Sequence, residues 1–139
     1  MNEIEKLLPH RGSFLFVDKI LSVSELEIVG TKTFDSTNSF LRGSFPDHHY
    51  VPGMILIESM AQCGGAGIRK LGLAEGVFAL VSIQGAKFLK GVNYDTPVTY
   101  KIQNLKIGEK LIKQTGIIIS GNDIVAEASW MSMKMEVAS

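Results

Sequence analysis

One carboxylate stands out in this sequence because it falls inside a segment that is otherwise almost apolar. Glu58 lies in the first turns of the predicted helix 54–71, where most of the other residues are small or apolar. A buried carboxylate without a partner is costly, so Glu58 must be hydrogen-bonded, protonated or turned towards a cavity. Two interpretations are open: Glu58 only complements the helix dipole, or it acts as a general acid or base.

The start of the same helix offers a second kind of chemistry. Pro52 and Gly53 lead into the helix, and the first N–H groups of any helix lack an intrahelical acceptor. Such groups, here those of Gly53 and Met54, can hold a carbonyl oxygen on which negative charge develops. The helix start is therefore a candidate carbonyl-binding site.

The histidines and serines give weaker signals. His10 lies in a turn ahead of a predicted strand, and we interpret it as structural. His48 and His49 are adjacent, so their side chains diverge, and no third ligand has the spacing that zinc requires. Ser44 lacks the Gly-x-Ser-x-Gly context of a hydrolase nucleophile. We expect neither a metal nor another cofactor.

The elements that position these residues belong to the α+β class. A short helix over 2–8 and a hairpin of strands 14–23 and 26–34 precede a loop, 35–53. The long helix 54–71 follows, and strands are predicted over 77–88, 98–107, 111–120 and 124–135. This order predicts an antiparallel sheet wrapped against one long helix. One curved sheet cannot cover a helix that is apolar on all sides, so we expect a dimer or an assembly of dimers.

Composition narrows the class of protein. The 139 residues correspond to one domain, 1–139. Lys and Arg number 14, as do Asp and Glu, and this zero net charge argues against a general nucleic-acid binder. A single cysteine, Cys63, excludes an intramolecular disulfide and favours the reducing cytoplasm. No apolar run approaches the roughly 18 residues of a membrane span.

Several motifs resemble one known family. The stretches LLPHR at 7–11, FLFVD at 14–18, FLRGSFP at 40–46 and IESMAQ at 57–62 resemble the FabZ-type (3R)-hydroxyacyl-acyl-carrier-protein dehydratases. The similarity runs from about residue 7 to 135. It implies the hot-dog fold, in which an antiparallel sheet wraps a central helix, two such domains pair, and acyl chains enter tunnels at the dimer interface.

The resemblance also implies roles for individual residues. In that family a histidine of one subunit and a helix glutamate of the other dehydrate the substrate, while a glycine N–H at the helix entry polarises the thioester carbonyl. Glu58 matches the glutamate and Gly53 the glycine, but Ser44 stands at the position of the histidine. The motifs further imply substrate contacts for Phe45, Pro52, Met54 and Gln62.

The serine matters because removal of an α proton needs a base, and a serine hydroxyl has none of its own. General acid–base help is worth about 10²–10⁴-fold in rate, so a homodimer of this chain should be severely slowed. Three interpretations follow: a hetero-oligomer whose partner supplies the histidine, a non-catalytic subunit that binds acyl groups or their carrier, or replacement of the base by His48 or His49. A hot-dog thioesterase that uses Glu58 to activate water is an alternative from another class.

The resemblance implies a partner as well. The substrates of that family are acyl groups carried on the phosphopantetheine of an acyl carrier protein, and this carrier protein is acidic. Despite the zero net charge, four basic residues are predicted to form a local positive rim for docking, namely Arg69, Lys70, Lys87 and Lys90.

Overall fold

The computed structural model of the chain describes residues 1–135, and within them the elements follow the predicted order. Helix α1 spans Glu3–Leu7, α2 spans Ser39–Arg42 and α3 spans Gly53–Leu71, with a single 3-10 turn at Gly12–Phe14. The strands are β1 (Lys19–Val23), β2 (Glu27–Thr33), β3 (Phe78–Phe88), β4 (Pro97–Ile107), β5 (Leu111–Ser120) and β6 (Asp123–Lys134). The α+β prediction is confirmed.

The strands form one sheet in the order β1-β2-β4-β5-β6-β3, with every neighbouring pair antiparallel. Within residues 1–135, strand β3 therefore lies at one edge of the sheet and pairs with β6 alone. None of its eleven residues is buried, and the exposed residues include the apolar Val81 and Ile83. An exposed apolar edge strand is a ready template for pairing with another chain.

Helix α3 packs against all six strands of this sheet, in places at very short range. Gly64 lies against the Gln114 side chain and Gly67 against Ile28, and a Cβ atom at either position would overlap them. Ten of the 19 helix residues are buried. The helix begins after Pro52 and ends at Gly72, whose positive φ of 71° is a left-handed conformation that glycine adopts readily.

Two sequence predictions are wrong, namely the start of the first strand and the absence of a helix from the loop 35–53. Strand β1 begins at Lys19 rather than at Phe14, because the backbone of Phe14 and Phe16 bonds to the side chain of Gln62 instead of to a strand. The predicted loop contains helix α2, whose N-terminus is capped by the Asn38 side chain accepting from Leu41 N–H.

Candidate active site

Glu58 lies in the second turn of α3, where two other side chains hold one of its carboxylate oxygens. Gln62 is one helical turn further on, on the same face, and its amide nitrogen Nε2 donates to Glu58 Oε1 over 3.2 Å. The Nε2 atom of His10 lies 3.5 Å from the same Oε1 atom. The side chains of His10 and Glu58 are 26% and 24% exposed. The carboxylate is therefore half-buried and held on one side.

Gln62 ties this carboxylate to the N-terminal segment. Its side chain is almost fully buried. Oε1 of Gln62 accepts from Phe16 N–H over 2.8 Å, while Nε2 also donates to the Phe14 carbonyl over 3.0 Å. All the strong hydrogen-bonding atoms of the amide are thus engaged with protein groups. Its predicted contact with substrate stays a prediction.

His10 is carried to Glu58 by the turn that follows α1. The guanidinium of Arg11 donates to the carbonyls of Glu5, Leu8 and His10 and so fixes this turn. The His10 ring stacks near Phe14, with 6.2 Å between centroids. Burial lowers the pKa of His10 below its usual value, the Glu58 carboxylate raises it and Arg11 lowers it. The net lowering leaves His10 neutral at pH 7.

The sequence interpretation of His10 as structural missed this position. His10 and Glu58 are 48 residues apart, so no local spacing connects them. The available signal was the LLPHR stretch itself, which belongs to the motifs that carry the resemblance.

A cavity of about 510 Å³ opens beside these residues. Its polar lining includes Glu58, His10 and Gln62. Most of the remaining lining is apolar and comes from the turn after α1, from α3 and from strands β3 and β5, including Leu8, Ala61, Ile68, Phe78, Leu80 and Ile112. A mostly apolar cavity with a few convergent polar groups is the usual form of a small-molecule site.

The candidate carbonyl site at the start of α3 lies outside the lining of this cavity. Among residues 1–135, the amide N–H groups of Gly53 and Met54 have no hydrogen-bond acceptor, and Pro52 provides no side-chain cap. The Phe88 ring covers Gly53 so closely that a Cβ atom there would lie 3.1 Å from it. The Met54 side chain is 83% exposed.

The exposed loop 43–50 between α2 and α3 carries four of the predicted site residues. Ser44, Phe45, His48 and His49 are all exposed, and none lines the cavity of its own chain. His48 donates its backbone N–H to the Phe45 carbonyl over 3.0 Å. The structure of one chain therefore does not bring Ser44 or either histidine to Glu58.

The four residues of the predicted basic rim lie at two ends of α3, and their role in docking stays a prediction. Arg69 and Lys70 lie in the last turn of α3, where Arg69 donates to the Gly76 carbonyl and Lys70 pairs with Glu3. Lys87 and Lys90 flank Phe88, which touches Gly53 at the other end of α3. The rise of 1.5 Å per residue separates residues 53 and 69 by about 24 Å. The four basic residues therefore form two groups.

Two further side chains lie in the core. Cys63 is fully buried, which raises the pKa of its thiol and makes it unreactive. Trp130 is fully buried and donates its indole N–H to Gln114 over 3.2 Å. No cluster of three or more metal-ligating side chains occurs within residues 1–135. The helices in that range include none with the length and apolarity needed to cross a bilayer.

Comparison with known proteins identifies the family. The sequence model described as the FabA-like domain matches residues 8–129. This chain belongs to the FabA-like family. A 3-hydroxyacyl-acyl-carrier-protein dehydratase FabZ of Hydrogenobaculum sp. (strain Y04AAS1) is 36% identical over 99% of this chain and 95% of its own length. The FabZ of Fusobacterium nucleatum is 35% identical over 92% of each chain.

Solved structures confirm the hot-dog fold. A chain from the dehydratase heterocomplex ApeI:P of Xenorhabdus doucetiae superposes with a TM-score of 0.82 at 16% identity, covering 98% of this chain and 93% of that one. A hypothetical thioesterase with coenzyme A from Streptococcus pneumoniae TIGR4 gives 0.65 at 16% identity, covering 87% and 88%. These two structures support the fold alone, because both identities are low.

Proposed function

We propose that this chain is a (3R)-3-hydroxyacyl-acyl-carrier-protein dehydratase subunit that supplies the acid Glu58 and relies on a partner subunit for the histidine base. The observation that carries the proposal is Glu58 itself. Glu58 lies in α3 at the edge of a mostly apolar cavity, and the side chains of Gln62 and His10 lie beside its Oε1 atom. A carboxyl group placed there can protonate the hydroxyl that leaves C3 of an acyl chain.

The proposed reaction needs a second group, which removes a proton from C2 of the thioester. The C2–H electrons form the C2–C3 double bond, the C3–O bond breaks, and Glu58 gives its proton to the departing hydroxyl, which leaves as water. Imidazole is the side chain best suited to this base at neutral pH. Ser44 stands where the resemblance expects that histidine, so a partner chain is the proposed source of the base.

The helix start provides a place for the thioester carbonyl. The free N–H groups of Gly53 and Met54 can stabilise the negative charge that grows on that oxygen as C2 loses its proton. Phe45 and Pro52 would border this carbonyl site. The substrate would then extend from the helix start past Glu58, with its acyl chain in the apolar cavity.

Edge strand β3 supports pairing with a second hot-dog subunit. Its free edge and its exposed apolar side chains would be covered by another β3 strand, from a second copy or from a related dehydratase. The fold is compatible with mixed pairs, since one solved structure of this fold is described as a dehydratase heterocomplex. We propose the cytoplasm as the location, in agreement with carrier-bound substrates and a single free cysteine.

An assay with three thioesters tests the function. The purified chain, alone and mixed with a histidine-bearing FabZ-type dehydratase encoded in the same genome, is given a 3-hydroxyacyl, a 2-enoyl and a saturated acyl thioester. We expect loss or addition of water only in the mixture, and we expect Glu58→Gln to abolish the contribution of this chain. Release of free thiol from all three would contradict the proposal and indicate a thioesterase.

Two other outcomes would also contradict the proposal. Binding of the thioesters without turnover in any mixture would indicate a non-catalytic acyl-binding subunit. Fast dehydration by the chain alone, lost on mutation of His48 or His49, would indicate that a loop histidine has become the base.

Light scattering tests the pairing. We expect a dimer or a larger even assembly at micromolar concentration, and we expect Ile83→Lys on the exposed side of β3 to weaken it. Lys101→Glu on strand β4, which is exposed but internal to the sheet, is the control. A monomer at that concentration, both alone and with the partner dehydratase, would contradict the pairing.

A further inference from the structure

The contacts of Glu58 are unequal between its two carboxylate oxygens. Oε1 lies 3.2 Å from Gln62 Nε2 and 3.5 Å from His10 Nε2. Oε2 has no hydrogen-bond or ion-pair partner among residues 1–135. One oxygen is therefore held by the protein, and the other is free for a ligand in the cavity that Glu58 lines.

The second nitrogen of His10 shows which form of the ring is present. Nδ1 is buried and has no hydrogen-bond partner in the described structure. A proton on Nδ1 would leave a buried N–H donor without an acceptor, which is unfavourable. Neutral imidazole carries one proton, so that proton belongs on Nε2, the nitrogen that faces Glu58.

The charged groups around the ring have opposite effects on its pKa. Glu58 is the acidic group that faces the ring and raises its pKa, while Arg11 adjoins it in the chain and lowers it, and Arg69 is the other charged residue lining the cavity. The strands that line the cavity contribute apolar side chains together with the uncharged Gln114 and Ser132. Burial has the largest effect and favours the neutral ring.

We propose that His10 is a positioning residue that, as its Nε2–H tautomer, works with Gln62 to occupy Oε1 and so places the acidic proton of Glu58 on Oε2. Gln62 Nε2 donates to Oε1 and His10 Nε2 lies 3.5 Å from the same atom, so protein groups occupy Oε1 in place of a proton. The proton of the carboxyl group then lies on the oxygen that is free to meet the leaving hydroxyl. The distance of 3.5 Å is long for a hydrogen bond, and contacts of this kind commonly shorten when substrate closes the site.

This inference rests on the proposed function for its catalytic consequence, but the pairing of His10 with Glu58 can be tested separately. Nitrogen NMR of the ¹⁵N-histidine-labelled full chain resolves the tautomer and titration of each of three histidines. We expect His10 to be the Nε2–H tautomer at pH 7.5. We expect Glu58→Gln to lower the pKa of His10, because the carboxylate that raises it is gone.

The control for that experiment is Glu25→Gln, which removes an exposed carboxylate in the turn between β1 and β2. It should leave the titration of His10 unchanged. An Nδ1–H tautomer, or a His10 pKa that Glu58→Gln does not lower, would overturn the proposal even if the chain proves to be a dehydratase subunit.

Kinetics then test the consequence, in whichever assembly the wild-type chain is active. His10→Phe keeps a ring beside Phe14 but removes the donor, and we expect kcat to fall about 10- to 100-fold with KM nearly unchanged. His10→Gln keeps an uncharged N–H donor and should restore most of kcat. Equal loss in both variants, or a loss only in KM, would overturn the positioning role.

If no assembly dehydrates any thioester, the proposed function fails, while the NMR results still decide whether His10 and Glu58 are paired as described. The two failures are therefore distinguishable.

Discussion

The Glu58 pocket, formed by Glu58, Gln62 and His10, and the loop 43–50, which leads into α3, are built in opposite ways. In the pocket, Gln62 is almost fully buried and every polar contact is with a neighbouring side chain or backbone group. In the loop, every residue from Gly43 to Tyr50 is exposed. One chain therefore holds one oxygen of its acid through contacts of its own and leaves the loop side chains exposed.

One half of the proposed site is therefore built within a single chain, whereas the other half depends on a second subunit. The pocket needs only contacts within the chain, from α3 and from the turn after α1. The side chains of the loop do not line the cavity of their own chain, so a contribution of Ser44, His48 or His49 to such a cavity requires a second subunit. Mutations in the two regions should therefore behave differently in the homodimer and in a mixed assembly.

The largest effect is expected from Glu58→Gln in the active assembly. The amide keeps the shape of the carboxyl group but cannot donate an acidic proton, so kcat should fall by about 10²–10⁴-fold while the fold is retained. Glu25→Gln is the matched control and should have no effect. Activity that survives Glu58→Gln would show that the pocket is not the acid half of the site.

Gln62→Leu should lower the stability of the folded chain, because Gln62 holds the backbone around the pocket and takes no part in the proposed chemical step. The change leaves the buried N–H of Phe16 without its acceptor, which costs about 1–3 kcal/mol in the free energy of unfolding. Urea denaturation measures this loss. Gln103→Leu replaces an exposed glutamine on β4 and should change stability far less. Equal stability of the two variants would show that the hydrogen bonds of the Gln62 side chain do not stabilise the fold.

The architecture and the placement of Glu58 could be predicted from the sequence, because both depend on local pattern. The apolar periodicity gives β5 its observed bounds, Leu111–Ser120, and gives α3 to within one residue. The residues 14–16 were predicted as strand because their composition is typical of one. Their actual partner is the Gln62 side chain, 46 residues or more away, and no local pattern reveals such a bond.

Long-range placement also explains the other differences. The sequence does not reveal that His10 lies beside Glu58, because residue types alone do not predict the turn that Arg11 holds. The basic rim rests on charge alone, whereas Lys87 and Lys90 lie near Phe88, which contacts the start of α3, and Arg69 and Lys70 lie in its last turn. Whether Ser44 faces a glutamate depends on a second subunit.

The smallest effect among these predictions is expected for Lys87 and Lys90, which lie close to the start of α3. Reversing Lys87 and Lys90 to Glu should weaken binding of an acidic acyl carrier protein by about 3- to 10-fold, since exposed ion pairs contribute little each. The difference should shrink as salt is raised, because exposed charges are screened over about 8 Å at physiological ionic strength. Titration calorimetry or fluorescence anisotropy measures it, with Lys101→Glu and Lys106→Glu as the control. Unchanged affinity would place carrier docking on another face.

The central claim, that this chain carries the acid half of a dehydratase site and lacks the base, is tested most directly by Ser44→His in the homodimer. The wild-type homodimer should dehydrate a 3-hydroxyacyl thioester barely or not at all, and Ser44→His should raise its rate by about 10²–10⁴-fold. Adding Glu58→Gln should remove the gain, whereas replacing His48 and His49 by Ala should not. A wild-type homodimer that is already fast, or one that loses turnover on Ser44→Ala, would contradict the account.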